Sequence, residues 1–208
     1  MGRALSKPFA LSIIYGNAFI LGAIVMGFEM LSSRYLYPYF GGGIGTWAGL
    51  ISTVLGALTI GYFLGGVLID RHPSSKITAI ATGLAALYLS GLPLGADPTI
   101  AFIETSYGDG PLPILVASAA LLLVPLSALG MFSPIAIRLL IRSMHESGRV
   151  AGAVYGISTL GSIFGTLFTT FALIPAFGSR AITYLFAGLL LVCALSLLFT
   201  PTETEARA

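Results

Sequence analysis

Six stretches of the chain contain no Asp, Glu, Lys or Arg: 8–28, 35–69, 77–96, 110–137, 150–179 and 181–202. Each is at least 20 residues long, the length an α-helix needs to cross about 30 Å of hydrocarbon. Apolar residues run all round these segments. The polar stripe that a helix keeps when it packs in a water-soluble protein is missing. The pattern therefore predicts six transmembrane helices, at about 10–32, 46–69, 77–95, 112–140, 150–175 and 181–199, forming one six-helix membrane domain over 1–208. The expected class is an all-α polytopic membrane protein.

Composition points the same way: 56% of the residues are hydrophobic and 9% charged, against about 25% charged in a soluble domain. The first apolar run, "ALSIIYGNAFILGAIVMGFEML", is too long for the core of a cleaved signal and ends at no small-residue cleavage site. The one cysteine, Cys193, lies in the last apolar segment and reads as a small core residue. With the N-terminus inside, six spans put Arg3, Lys7, Arg71, Lys76, Arg138, Arg142, Arg149 and Arg207 on one side and Arg34 and Arg180 on the other. That asymmetry predicts cytoplasmic termini. The segment Asp97–Gly110, with Glu104 and Asp109, is then expected to be an acidic outer loop.

Glycine and proline refine the picture. Gly61/Gly65 and Gly161/Gly165 are GxxxG pairs in the second and fifth spans, a spacing that lets helix backbones approach closely. Glycines at 56, 61 and 65 recur at 156, 161 and 165, in helices expected to run in opposite directions. An inverted three-plus-three repeat produces such a recurrence. Pro125 and Pro134 predict a kink in the fourth span.

At the inner end of the second span, Gly66-Val-Leu-Ile-Asp70-Arg71 resembles the loop signature of the major facilitator superfamily, departing from it at Pro73 and Ser74. Across residues 16–76 and 150–185, "GFEMLSSRYLYPYFGGGIGTWAGLISTVLGALTIGYFLGGVLIDR" and "GISTLGSIFGTLFTTFALIPAFGSR" resemble the membrane half of the membrane-fused spermidine synthase-like proteins. In that family a half-facilitator bundle precedes a cytoplasmic aminopropyltransferase domain. The resemblance implies the bundle. The sequence stops at Ala208, so aminopropyl transfer is not expected of it, and no nucleotide loop is present to suggest another enzyme.

The ionisable residues carry the candidate chemistry. Glu29 ends a long apolar run, where a carboxylate is costly unless paired or protonated. With Arg34 and Tyr35 it is the candidate substrate or proton site. The competing reading is a Glu29–Arg34 clamp that fixes the helix end. Tyr35, Tyr37, Tyr39, Phe40 and Trp47 could cradle an amine or form an interfacial aromatic belt. Gly66, Asp70 and Arg71 are the candidate conformational latch that the facilitator resemblance implies, against a plain helix-end ion pair. Arg138, Arg142 and Arg149 are expected at anionic lipid or an acidic partner. No cofactor, metal or nucleic-acid partner is expected: His72 and His145 have no metal-site spacing, and a net charge of +2 at a membrane face makes no case for nucleic acid.

Two function classes fit: a transport module that pairs, as a homodimer, around a substrate path, and a non-transporting anchor or regulator of a separate cytoplasmic enzyme. The expected location is a prokaryotic cytoplasmic (inner) membrane. The topology is tested with Cys193 replaced and single cysteines introduced. Those at Ser75 and Gly148 should resist an impermeant thiol reagent in intact cells, and one at Thr105 should react. Labelling of Gly148→Cys from outside overturns the termini-in arrangement.

Overall fold

The computed structural model describes residues 7–72, 74–108, 110–141 and 144–199. Among these residues, six helices are long and apolar enough to cross a membrane: α1 (Ala10–Phe40 within a helix that starts at Lys7), α2 (Ile44–Arg71), α3 (Lys76–Tyr107), α4 (Pro111–Leu140), α5 (Ser147–Ala176) and α6 (Ser179–Leu198). No strand occurs among the described residues. Helix suits hydrocarbon because it satisfies its own backbone donors and acceptors where no water can.

Two helices run further than the charge pattern suggests. α1 passes through Arg34 and reaches Phe40, and α3 passes through Asp97 and Glu104 to Tyr107. Most of the expected outer loop is therefore the last turns of α3, while Asp109 lies outside the described residues. The stops are glycines. Gly41 takes φ 66° and donates its N–H to the Tyr37 carbonyl at 2.9 Å. Gly108 takes φ 69° and donates to Glu104 at 2.8 Å. This left-handed glycine cap satisfies a terminal carbonyl and turns the chain. At 34 residues, α1 is about 51 Å long, well over the hydrocarbon thickness of about 30 Å, so helix extends beyond the membrane core or tilts within it.

Proline acts locally. α4 breaks at Met131, between Pro111–Gly130 and Phe132–Leu140. Pro134 has no N–H to offer the Gly130 carbonyl four residues back, and the break falls between them. Pro125 stays within regular helix. In α5 a π-helical segment, Thr169–Leu173, precedes Pro175; local π adjustment is one way a membrane helix re-satisfies the backbone groups that a proline frees.

Glycine sets how the helices meet. α1 packs along α5, α2 along α4, and α3 along α6. A Cβ on Gly161 or Gly165 would strike the carbonyl oxygen of Phe19 or Ala23 on α1, and one on Gly22 would strike the Ser158 carbonyl. In the α2–α4 seam, a Cβ on Gly61 would strike the Ser127 carbonyl and one on Gly65 would lie 2.7 Å from that of Met131. Gly130 sits 3.3 Å from the Leu58 carbonyl by the same construction. Backbones this close leave no room for a side chain. Gly56 and Gly156 meet nothing, so only two of each glycine triplet are packed. The α3–α6 pair is less tight, a Cβ on Gly83 lying 3.9 Å from that of Ala194, and both helices bury small side chains, Ala79, Ala85, Ala187, Cys193 and Ala194, beside large ones such as Leu89 and Leu190. Cys193 is the small core residue expected of it.

Large apolar residues of α2 and α5 point outward, Phe63 and Phe171 being 74% and 75% exposed. In a membrane these meet lipid tails, which accept them at no cost. Ser75 is buried at the start of α3, so the exposed neighbour Lys76 is the better cysteine position for topology labelling. The seams also yield a contrast. Gly161→Ala should destabilise the bundle by about 1–3 kcal/mol through overpacking, whereas Gly156→Ala should be near neutral, both read from unfolding in mild detergent. Equal tolerance of the two would contradict the close approach.

Candidate functional site

Glu29 lies in the middle reach of α1, eleven residues before Phe40, because the helix continues past the predicted boundary. That places it about 16 Å from the helix end at 1.5 Å per residue. It is 5% exposed. The nearest base in sequence, Arg34, is exposed, and no ion pair joins the two. The expected clamp is not formed. Tyr35 is also engaged elsewhere: its hydroxyl meets Thr183 Oγ1 on α6 at 2.9 Å. Glu29, Arg34 and Tyr35 thus do not come together as one site.

The wheel of α1 explains why. Asn17 and Tyr35 both face α6, through Ser196 and Thr183. At about 100° per residue, Glu29 is turned about 120° from that face. It shares a stripe with Ala18, Val25, Ser32 and Leu36, all buried. Ser32 follows at i+3, on the same side of the helix, and its Oγ has no hydrogen-bond partner. Ser118 Oγ on α4 is likewise buried without one. Glu29 lines neither of two surface grooves, of about 450 and 370 Å³.

A polar cluster that the sequence did not reveal caps the opposite end from Lys7. Arg180 of α6 donates to Asp97 Oδ2 of α3 at 2.9 Å. Tyr39 of α1 donates to the Asp97 carbonyl at 3.3 Å. Together with Tyr35–Thr183 these bonds tie α1, α3 and α6 together. Asp97 and Arg180 are separated by 83 positions, and nothing local pairs them. Of the other aromatics, Tyr37 is exposed, while Phe40 and Trp47 are partly buried against the core. They do not surround Glu29 as an amine cradle would require; Tyr39 is committed to Asp97.

At the other end, Asp70 finds a base outside its own loop. Its Oδ1 lies 3.9 Å from Arg138 Nε of α4, and both side chains are at least half exposed. Arg71 and Lys76, the bases nearest Asp70 in sequence, are not within ion-pair distance of it; Gly66 is partly exposed, with open space where a Cβ would point. The pair therefore links α2 to α4 within the chain. Arg149 lies 3.5 Å from Glu146, and Arg142 is outside the described residues. Among the described residues no group of three His, Cys, Asp or Glu could hold a metal.

Compared with protein-family models, curated proteins and solved structures, the chain matches none. The geometry of Asp70 makes its own prediction. A double-mutant cycle of Asp70→Asn with Arg138→Gln should show coupling of about 0–1 kcal/mol, the range of exposed pairs, and the cycle with Arg71→Gln should show none. Coupling to Arg71 alone would remove the α2–α4 link.

Proposed function

We propose that the chain is a half-facilitator-like membrane module, with cytoplasmic termini in a prokaryotic cytoplasmic membrane, that carries a small molecule after pairing with a second copy. The observation that carries this reading is Glu29: a carboxyl group within the apolar bundle that makes no ion pair or hydrogen bond among the described residues. An intramembrane acid without a structural partner is a site for a proton or a cation by default. Ser32, one turn on, offers an unused hydroxyl beside it.

An inverted three-plus-three repeat belongs to the same proposal. Exchanging α1–α3 with α4–α6 converts the α2–α4 packing into α5–α1, leaves α3–α6 unchanged, and converts α3–α4 into α6–α1; all of these packings occur. The glycine seams follow suit. Gly61 and Gly65 press on Ser127 and Met131, four apart, as Gly161 and Gly165 press on Phe19 and Ala23, also four apart. Gly22 faces Ser158 where Gly130 faces Leu58. Residues of α5 and α2 then correspond by a shift of 100 positions, and those of α4 and α1 by a shift of 108. Chance glycines would not be expected to preserve both partners. Such repeats are the building plan of many secondary transporters.

The second reading, an anchor for a separate soluble enzyme, is favoured by one observation: neither groove reaches Glu29. Uptake of radiolabelled spermidine into proteoliposomes, used as the cationic-amine probe that the family resemblance suggests, separates the two. Transport predicts uptake that Glu29→Gln largely abolishes while the thermal midpoint in detergent is kept. A well-folded Glu29→Gln protein with full uptake would overturn the site. Absence of uptake by the wild type, together with co-purification of a soluble enzyme, would establish the anchor instead.

A further inference from the structure

At the end of the bundle where α1 begins, α1, α4 and α5 leave a groove of about 450 Å³. That equals about fifteen water molecules at about 30 Å³ each, enough for a lipid headgroup and its first methylenes, not for a whole lipid. Its walls are apolar: Leu11 of α1, Leu139 of α4, and Val150 and Ala153 of α5. Tyr15 also lines it, together with Glu146 and Arg149 at the start of α5.

We propose that this groove binds a phospholipid whose headgroup carries a primary ammonium, as phosphatidylethanolamine does. The argument is charge complementarity. Arg149 Nη2 and Glu146 Oε1 lie 3.5 Å apart, with side chains 81% and 42% exposed. So loose a pair spends little of either group: a guanidinium offers five donors and a carboxylate about four acceptor positions. Ethanolamine phosphate presents the matching opposite pair, an anionic phosphate two carbons from an N–H-rich ammonium. The phosphate takes Arg149 with charge-assisted bonds, the ammonium takes Glu146, and the acyl chains leave along the apolar wall.

Alternative ligands fit less well. A headgroup that is only anionic meets the Glu146 carboxylate without compensation. Choline's quaternary ammonium has no N–H to give it. Free phosphate leaves the apolar walls unused. The lipid is thus selected by an acid and a base held one helical turn apart, which a basic patch alone could not do. The proposal does not rest on transport or on which face of the membrane this end occupies.

The test uses the full chain, delipidated in mild detergent, with retained lipid counted by native mass spectrometry after addition of dioleoyl phosphatidylethanolamine, phosphatidylcholine or phosphatidylglycerol. The wild type should retain phosphatidylethanolamine over both others. Glu146→Gln should lower its affinity about twofold to fivefold, the range of an exposed charge pair, and bring it level with phosphatidylcholine. Arg149→Gln should weaken all three lipids, and Ala153→Trp, which fills the groove, should do the same. Unfolding midpoints in lipid-free detergent verify that Glu146→Gln and Arg149→Gln, both changes to solvent-facing side chains, remain folded. Equal retention of phosphatidylethanolamine and phosphatidylcholine by the wild type overturns the proposal. So does preference for phosphatidylglycerol, displacement by inorganic phosphate alone, or a phosphatidylethanolamine preference that survives Glu146→Gln.

Discussion

Close contact between helix backbones at glycine is the constraint on which this bundle depends. Lipid tails are as apolar as leucine, so burying Leu or Phe between two helices gains little over leaving them in the bilayer. What remains is the fit of one surface on another, and it is best where no side chain stands between. Gly161 and Gly165 bring α5 onto carbonyls of α1, Gly22 brings α1 onto the Ser158 carbonyl of α5, and Gly61, Gly65 and Gly130 make the same close approach between α2 and α4. The broad apolar faces of α2 and α5, with Phe63 and Phe171 exposed, contribute hydrophobicity for insertion and little to helix association.

Much of this was legible in the residues, for a simple reason. A membrane-spanning helix must be apolar for its whole length, so charge-free stretches locate it directly. GxxxG spacing located the packing faces as well. Helix ends were read less well, because charges mark where the chain meets water and not where it stops being helical. Arg34 and Asp97 lie within helices whose ends are made by Gly41 and Gly108. The cap signal was present in both places and outweighed the charge signal. The partners of ionisable groups were not legible at all. Asp97–Arg180 and Asp70–Arg138 join helices distant in sequence, and only packing decides which helices are neighbours.

The polar residues divide by what satisfies them. Tyr35 with Thr183, Asn17 with Ser196 and Ser162 with the Gly22 carbonyl are bonds between helices. Thr59, Ser90 and Thr105 return their hydroxyls to their own helix, which needs no neighbour and asks nothing of the fold. Glu29, Ser32 and Ser118 belong to neither group. A bundle held only for stability has no use for a carboxyl group in that position, since an apolar residue would fill the space without the cost of desolvating an acid. This is why Glu29, with the unbonded Ser32 hydroxyl one turn on, carries the functional reading.

On the repeat proposed here, the two glycine seams are related but their ends are not alike. The same shifts of 100 and 108 positions that relate the seams send Leu139 and Leu140 to Leu31 and Ser32, and send Glu146, Val150 and Ala153 to Thr46, Leu50 and Thr53. The first set lines an open groove; every member of the second is buried. The difference lies in residue chemistry as well as in helix position. Glu146 is charged where Thr46 is a hydroxyl that donates to the Phe40 carbonyl at 3.3 Å, and a hydroxyl can be enclosed at far less cost than a carboxylate. Closing the groove would bury Glu146 and Arg149 together, with a desolvation penalty that a loose pair does not offset. The end with the acid and base therefore stays open to water or to a lipid headgroup, while its threonine-lined counterpart packs shut.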